Sequence, residues 1–352
     1  MSIQPSPAVP VADLRIVVNG KELPLAARAD VASVTVVDDV GGLSMVELVL
    51  HNWDADGLTV TWSDAALFAP GAAVEVWLGE VDDLHKVLTG EVTGLEPTFG
   101  ADAPPMLTVR GYDLGHRLAR DRRTRTYARQ KDSAIAAQVA RAAGLRAQVA
   151  DSKVVHEYVV QHNQTDLEFL RERAALLGYE VYVRDKVLHF APPPLRATGA
   201  PVLEVGREIV EFTPRLRTLS QVDQVSVRGW DVKKKAAVVG AARPGTLMGR
   251  TGGGAQAKRA FGAAADIGVG TPVPVRERAD QVAGAVFETR MLDFVTGEAR
   301  CSGDARLRAG AVVQIKGAGT RFSGDYYVRT VTHTLSPGAA LRTDLDVARN
   351  AT

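Results

Sequence analysis

Pro70-Gly71-Ala72-Ala73-Val74-Glu75-Val76 recurs in a looser form as Ala309-Gly310-Ala311-Val312-Val313-Gln314-Ile315. In both copies a turn glycine leads into an alternating strand, and a loop with a second glycine and another apolar strand follow. Both copies close with a further strand, at residues 107–110 and 345–349. Self-similarity of this kind predicts a duplicated β-domain. The alternative is that any two β-meanders share this order of glycines and strands.

The residues around the first copy are typical of β-structure. Residues 14–18 form an apolar run that the turn signal Asn19-Gly20 closes. Runs at 31–37, 46–50 and 87–95 are rich in β-branched residues or alternate between apolar and polar side chains. Strands at roughly ten-residue spacing, separated by Gly and Pro, predict a sandwich or barrel. We therefore predict a first β-domain that spans residues 1–112.

Helix start and stop signals appear in the middle of the chain. They are Asp132 and Ser133 as N-caps with Gly144 as the stop, and the Thr165–Glu168 capping box with Gly178 as the stop. A hairpin at 179–190, turning at Arg184-Asp185, follows directly. Residues 113–199 are therefore predicted to form a small α/β module inserted after the first β-domain.

The last part of the chain, residues 200–352, is predicted to be a second β-domain. Its stretch at about 236–272 is rich in Gly and Ala around Gly252-Gly253-Gly254 and has no clear period, which predicts a long, mobile loop. A helix is predicted at about 276–288, with strands from there to the end. The predicted fold class is thus β-rich α+β, with two β-barrels and one inserted α/β module.

Composition excludes several classes of protein. Of 352 residues, 46% are apolar and 24% charged, and the formal net charge is +1, so nothing global favours nucleic acid or an anionic membrane as a partner. Cys301 is the only cysteine, which excludes an intrachain disulfide. The sequence has no stretch of about 18 apolar residues, so we expect no membrane-spanning helix. Residues 1–5 lack a basic segment before an apolar run, so we expect synthesis in the cytoplasm without a signal peptide.

Motifs of catalysis and metal binding are missing from the sequence. It has no H-E-x-x-H, G-x-S-x-G, Walker or C-x-x-C pattern. The seven histidines (51, 85, 116, 156, 162, 189 and 333) are scattered, and His156 and His162 are poorly spaced for a metal. Cys301 is expected to be a buried or half-buried thiol rather than a nucleophile. No catalytic, cofactor-binding or metal site is predicted, and we expect that the protein is not an enzyme.

Two further patterns are interpreted structurally. The acid pairs Asp38-Asp39 and Asp82-Asp83 lie beside turn-like segments and are predicted to be solvated loop residues. The glycine cluster at 249–254 has no strand leading into it and no suitably placed lysine after it, so a phosphate cradle is not expected.

The stretch at 117–131 carries seven basic residues against one acid, Asp121. Such a run can bind phosphate backbones, and it can equally contact acidic residues of a neighbouring protein or form a solvated face. Tyr127 is its only aromatic residue, so the stacking expected of a single-strand binder is thin. We therefore favour protein contact or a solvated face over nucleic acid.

Three segments, taken in their order and spacing, resemble a known family. They are Arg110-Gly111-Tyr112-Asp113-Leu114 before the basic stretch, residues 160–170 followed by Leu177-Gly178-Tyr179, and residues 322–328 followed by His333 and Arg342-Thr343-Asp344-Leu345. Together they resemble the phage late control gene D family, the tail hub proteins of contractile phages. That family is similar to the N-terminal part of type VI secretion spike proteins and to hubs of extracellular contractile injection systems.

The resemblance implies a structural baseplate hub. Each subunit would supply two β-barrel tube domains, so a homotrimer would form a pseudo-sixfold ring that joins a hexameric inner tube to a trimeric spike. The α/β module would be LysM-like and lie outside, and baseplate proteins would be further partners. The chain stops where the hub ends, so the spike is either a separate protein or the missing part of a longer one. The alternatives are a baseplate-associated peptidoglycan-binding module, which would use the LysM-like part, and a cell-wall hydrolase.

Overall fold

The computed structural model describes residues 12–243, 245–268 and 273–352. The predicted lack of a signal segment at 1–5 concerns residues outside these ranges. No helix in the described ranges is long and apolar enough to cross a membrane.

The first 191 residues contain a β-repeat and then a small α/β unit. The elements of the first repeat are β1 (Ala12–Val18), β2 (Lys21–Glu22), α1 (Leu25–Ala29), β3 (Val31–Asp39), β4 (Met45–His51), β5 (Ala73–Glu80), β6 (Asp83–Thr98) and β7 (Met106–Asp113). Those of the first α/β unit are β8 (Arg122–Lys131), α2 (Asp132–Ala142), β9 (Arg146–Val149), β10 (Val155–Thr165), α3 (Asp166–Ala175), β11 (Glu180–Arg184) and β12 (Val187–Ala191). Short 3-10 turns lie at Ala66–Phe68 and Leu114–Ala119.

The rest of the chain is a second β-repeat interrupted by a second α/β unit. The repeat begins with β13 (Val202–Glu204) and β14 (Ile209–Leu216). The second α/β unit contains β15 (Gln224–Asp231), β16 (Ala236–Ala242), α4 (Gly253–Phe261), β17 (Ala265–Gly268) and α5 (Arg276–Leu292). The repeat then resumes with β18 (Val295–Ser302), β19 (Val312–Lys316), α6 (Gly319–Phe322), β20 (Gly324–Leu335) and β21 (Arg342–Arg349).

One sheet runs through both repeats. Among the described residues it has thirteen strands, and its main path is β14-β18-β21-β20-β3-β4-β7-β6-β5-β1-β2, with β19 joined to β20 and β13 to β19. The two repeats meet where β20 pairs antiparallel with β3. Each repeat fills its own hydrophobic core, and each α/β unit has another. The predicted β-rich α+β fold is confirmed, while the limits 1–112, 113–199 and 200–352 stay a prediction.

Backbone hydrogen bonds give the equivalence of the two repeats. The Gly71 N–H donates to the Val92 carbonyl at 2.7 Å, and the Gly310 N–H donates to the Val328 carbonyl at 2.8 Å. Gly71 and Gly310 both have positive φ, at 91° and 77°, which is why glycine stands at each position. The repeat predicted from these glycines is therefore present in the backbone.

A β-bulge after each of the two valines refines that equivalence. The pairing of β6 with β7 shifts just after Val92, and the pairing of β20 with β21 shifts just after Val328. Through these bulges Val347 corresponds to Gly111, two residues from Val109. A bulge is a designed local feature of a sheet, so its recurrence at equivalent places supports duplication of the whole strand set.

The predicted loop at about 236–272 is wrong for most of its length. It contains β16, α4 and β17, whereas 244 and 269–272 lie outside the described residues. The small residues serve packing: a Cβ on Gly240 would overlap the backbone of α5 at Ala279, and one on Gly254 would overlap the carbonyl of Val222. Helix α5 was predicted at 276–288 and extends to Leu292.

Two local predictions in the first α/β unit need correction. Helix α2 begins at Asp132 with Lys131 as its N-cap, because the Asp132 and Ser133 side chains accept hydrogen bonds from other segments instead. The hairpin turns at Asp185-Lys186, one residue later than predicted, where both residues have positive φ. The Thr165 capping box at the start of α3 is confirmed, with reciprocal bonds to Glu168 of 3.1 and 2.9 Å.

Candidate functional site

The continuous sheet presents one polar face across both repeats. Along β3, β4, β7, β18 and β21, apolar side chains are buried and alternate with partly or fully exposed ones. Register places Glu298 beside Asp346, Asp346 beside Thr330, and Thr330 beside Asp39. This row crosses from the second repeat into the first without a break. We call this surface the polar face.

Ion pairs connect side chains along and between the strands of the polar face. They are Arg215–Glu298 (2.7 Å), Arg300–Glu211 (2.9 Å), Arg342–Asp344 (2.9 Å), Arg110–Glu47 (2.7 Å) and Arg110–Glu96 (2.7 Å). A depression of about 300 Å³ lies among Thr330, Thr332 and Asp346. Burial, together with neighbouring Glu298 and Asp39, raises the pKa of Asp346 above its ordinary value. The face is therefore hydrated and charged, unlike an apolar binding groove.

Asp38 joins the two repeats to the first α/β unit. Its carboxylate accepts from Arg308 Nε at 2.7 Å and from Arg184 Nη2 at 3.1 Å. Arg184 also donates to the Ala309 carbonyl at 2.7 Å, and Arg308 donates to the Lys86 carbonyl at 3.0 Å. Burial opposes ionisation of Asp38, but the two guanidinium groups outweigh it and hold its pKa below the ordinary value. The prediction that Asp38 is a solvated loop residue is wrong, since it lies in β3 and is 2% exposed.

Asp132 joins the two α/β units in a similar way. It accepts from Arg173 Nε at 2.6 Å, contacts His156 Nε2 at 2.8 Å, and lies 3.6 Å from Arg278 of α5. Burial lowers the pKa of Arg278 to about 10. Nearby, Gln281 of α5 donates to a backbone carbonyl of the first unit at 2.7 Å. The two units are thus fastened to each other by polar contacts.

Two carboxyl groups near the first α/β unit are protonated more readily than usual. Burial raises the pKa of Asp113 and of Glu180 to about 7. Asp113 accepts from the Ser44 and Gly115 N–H groups at 2.5 and 2.6 Å, and Glu180 accepts from the Tyr327 hydroxyl at 2.5 Å. Their partners are two backbone N–H groups and the hydroxyl of a fully buried tyrosine, so both carboxyl groups have a structural role.

Most of the basic stretch at 117–131 is paired within the chain. The pairs are Arg117–Glu91, Arg122–Glu168, Arg123–Asp166, Arg125–Asp166 and Lys131–Asp151. Strand β8 carries four of these cations, all except Arg117, along one edge of the two-stranded β8–β10 sheet. Charged edges of this kind discourage further strand pairing. The pairing leaves little unbalanced charge for a phosphate backbone.

The other residues considered for chemistry lie apart from one another. Cys301 is buried, and burial raises the pKa of its thiol to about 12. His333 is buried against Thr343, and burial lowers its pKa to about 4. Asp82-Asp83 is exposed at the β5–β6 turn, as predicted. In the described ranges no group of three or more His, Cys, Asp or Glu side chains is placed to hold a metal ion.

The remaining patterns also have structural explanations. The glycine cluster at 249–254 runs into α4, where Gly253 packs against Phe294. Aromatic rings of the first α/β unit point mostly inward, with Tyr127 stacked on Phe169 at 5.6 Å. Tyr158 is the large aromatic residue of that unit that stands exposed.

A family model described as Alg8 N-terminal domain matches residues 8–337. The chain belongs to this family. No curated protein matches the sequence of this family member.

Solved structures show the same fold as this member of the Alg8 N-terminal domain family. The 43 kDa tail protein of prophage MuSo2 from Shewanella oneidensis is 12% identical, with a TM-score of 0.73 over 96% of this chain and 98% of that one. A tail protein from Neisseria meningitidis MC58 is 13% identical, with a TM-score of 0.70 over 96% of each chain. An E. coli component of the type VI secretion system is 11% identical, with a TM-score of 0.61 over 96% of this chain and 77% of that one. The predicted resemblance to tail hub proteins is thus confirmed at the level of the fold.

The identity of the strands at the edges of the sheet and the Asp38 cluster were not predicted from the sequence. The edges depend on strand order, and Asp38 depends on partners 146 and 270 residues away. The alternation along each strand was the one available signal for the polar face.

Proposed function

We propose that the protein is the structural tail hub of a contractile injection system, a homotrimer whose six β-repeats form one ring. The ring joins a hexameric inner tube to a trimeric spike, contacts baseplate proteins, and works as a component of a phage tail-like particle without catalysing a reaction. The observation that carries the proposal is the β20–β3 junction between the two repeats. Because the strand set is duplicated, each chain also has the equivalents of these two strands, and in the described structure they do not pair with each other.

The first unpaired partner is β14, which stands where β3 stands in the first repeat. The pairing of β3 with β4 shifts just after Val31, and the pairing of β14 with β18 shifts just after Ile209. These bulges make Val31 equivalent to Ile209, and hence Thr35 equivalent to Thr213. Strand β14 ends the described sheet, whereas β3 is covered by β20.

The second unpaired partner is the end of β6, which corresponds to the part of β20 that pairs with β3. Strand β5 covers β6 as far as Glu91, and residues 71–72 bond to Val92, so residues 93–98 have one free side in the described structure. Phe99 directly follows this segment and is 64% exposed. Pro97 in β6 and Pro214 in β14 are typical of edge strands.

Transferring the register of the in-chain junction predicts the contacts between subunits. Thr334 pairs with Thr35 within the chain, so Thr98 of one subunit should pair with Thr213 of the next. The neighbouring rungs bring opposite charges or apolar side chains together: Glu96 with Arg215, Leu95 with Leu216, and Phe99 with Phe212. The rung that pairs Pro97 with Pro214 offers no N–H donor, so the other rungs must hold the junction. Cross-strand pairs of these kinds stabilise sheets.

The ring would extend the polar face around a central channel. Joining β14 to β6 at every subunit boundary continues the polar face and covers both the edge of β14 and the free side of β6. Six repeats from three chains then match a hexameric tube.

A short bis-maleimide crosslinker on a Thr98→Cys/Thr213→Cys variant tests the ring. We expect a covalent trimer on a denaturing gel, and a trimer mass by light scattering of the untreated protein. Each single-cysteine variant is the control, since the native thiol of Cys301 is buried and stays unreactive. A protein that remains monomeric and unlinked even when co-expressed with its tube and spike partners would contradict the proposal.

A further inference from the structure

Among the described residues, the sheet of the second α/β unit is covered on one face only. Its strands lie in the order β16-β15-β17, and α5 packs on the face that carries Val225, Val227 and Val238. On the opposite face Trp230 is 55%, Val239 51% and Ile267 49% exposed. We call this second surface the open face. Soluble proteins seldom expose a contiguous apolar patch unless something binds there.

Register shows that the residues of the open face are true neighbours. Trp230 lies opposite Ala237 and Arg228 opposite Val239 on β16. Ile267 lies opposite Ser226 on β17. Trp230, Arg228 and Ser226 alternate along β15, so they point to the same side of the sheet. The apolar side chains therefore form one surface, with Arg228 in the middle strand between them.

The charge on the open face itself has one sign. Arg228 makes no ion pair within the described residues, and its strands carry no acidic side chain on that face. Asp266 points to the other side, where it pairs with Arg290 at 2.7 Å. Lys235 adds a positive charge at the β15–β16 turn. The two acids near that turn are already paired with Lys233 and Lys234. A partner that complements this face needs an apolar stripe flanked by carboxylates.

The dimensions of the open face suit a helix. Three strands at a spacing of about 4.8 Å span roughly 10 Å, which is close to the diameter of an α-helix. The covered face already accommodates one helix, α5, along the same strands. A helix on the open face would complete a three-layer unit, a common way to bury both faces of a sheet.

The position of the second α/β unit in the chain determines how many open faces each chain has. It is inserted between β14 and β18, whereas the equivalent β3–β4 connection of the first repeat is the short turn 40–44. The open face therefore occurs once per chain, although the β-repeat occurs twice. A ring of three chains would offer it three times.

We propose that the open face binds an amphipathic helix of a different protein, with an apolar stripe flanked by Glu or Asp, one helix per chain. The proposal rests on the proposed hub only for the count of three per ring and for the particle in which the helix is met. The β-repeat does not require such a unit, since the first repeat closes the same hairpin without one.

The test is site-specific photo-crosslinking in cells that assemble the complete particle. Val239 is replaced by p-benzoylphenylalanine, and the crosslinked peptide is identified by mass spectrometry. The expected product joins Val239's position to another protein, within a segment of helical apolar spacing flanked by acids. An added Arg228→Glu substitution should lower the yield roughly tenfold through like-charge repulsion, whereas Arg228→Lys should largely keep it.

A second crosslinker at Thr213 separates failure of this proposal from failure of the hub. Crosslinks at Thr213 to another copy, with none at position 239, would overturn the docking proposal. It would equally be overturned by a crosslink from position 239 to a second copy of the chain, or by a yield that Arg228→Glu leaves unchanged. Loss of crosslinks at both positions would contradict the proposal that the protein is a hub. It would also contradict the proposal that each chain binds one helix in the particle.

Discussion

Replacing Asp38 by leucine should loosen the in-chain junction between the repeats. Leucine is the residue that the second repeat carries at the equivalent place, Leu216. The substitution leaves Arg184 and Arg308 beside an apolar side chain without their shared carboxylate. Removing one partner of a buried ion pair typically costs about 3–5 kcal/mol.

The low end of that range, about 3 kcal/mol, fits this site. The side chains of Arg184 and Arg308 remain 22% and 21% exposed, so water reaches both guanidinium groups. Both also keep backbone carbonyl acceptors, such as that of Ala309 for Arg184. Substituting all three residues, as Asp38→Leu with Arg184→Met and Arg308→Met, should restore most of the loss, because apolar replacement of a whole buried cluster is often neutral.

Native-state hydrogen exchange of the β3 and β20 amides is the assay. It reports the free energy of opening at the junction itself. Global unfolding would not isolate that value, because the described residues form four hydrophobic cores that need not unfold together. Glu298→Gln is the control: it breaks an exposed pair with Arg215 and should cost less than about 1 kcal/mol. Protection in Asp38→Leu within that control value would refute the role given to the cluster.

Three smaller predictions concern packing, capping and pH. Gly240→Ala should destabilise the second α/β unit by roughly 1–3 kcal/mol because its Cβ overlaps α5, whereas Gly284→Ala, in open space on the same helix, should stabilise it in urea unfolding. Thr165→Ala should lower the stability of α3 by about 1 kcal/mol, seen as faster amide exchange in its first turn. The Glu180 carboxyl has its pKa raised from 4.5 to about 7, so it contributes stability that is lost as pH rises through that window. Glu180→Gln, which stays neutral and still accepts from Tyr327, should flatten the fall in unfolding midpoint between pH 5 and 8; an unchanged slope would contradict the assignment.

Local signals predicted the strands and the first helices well. The Asn19-Gly20 turn, the alternation along β4 and the Thr165 capping box each depend on residues close in sequence, and each is present. The duplication could be inferred because the turn before the equivalent strands requires a positive φ in both repeats, so that glycine recurs at Gly71 and Gly310.

Features set by distant contacts could not be predicted. The small residues of β16 and α4 predict a loop, because glycine is most often found in turns and loops. In the structure Gly240 and Gly254 instead allow other backbone segments to pack closely against them. The burial of Asp38 follows from arginines that arrive from two other parts of the chain. The prediction of Asp132 as an N-cap was wrong for the same reason, since its carboxylate accepts a hydrogen bond from the distant Arg173.

The differences between the in-chain junction and the proposed junction between subunits follow from how each must form. Within one chain the carboxylate of Asp38 meets Arg184 and Arg308 as the polypeptide folds, so a buried charge is never left without its partners. The strand edge that pairs only with another subunit has no such partners in the free chain. A carboxylate at position 216 would therefore lack an ion-pair partner until the subunits assemble. Leucine at that place, facing Leu95 of the neighbour in the transferred register, leaves only apolar surface exposed in the free subunit. The duplicated sheet therefore buries an ionic cluster only where its partners are fixed by the chain. At the proposed subunit junction the one ionic rung, Glu96 with Arg215, joins side chains that are exposed in the free subunit.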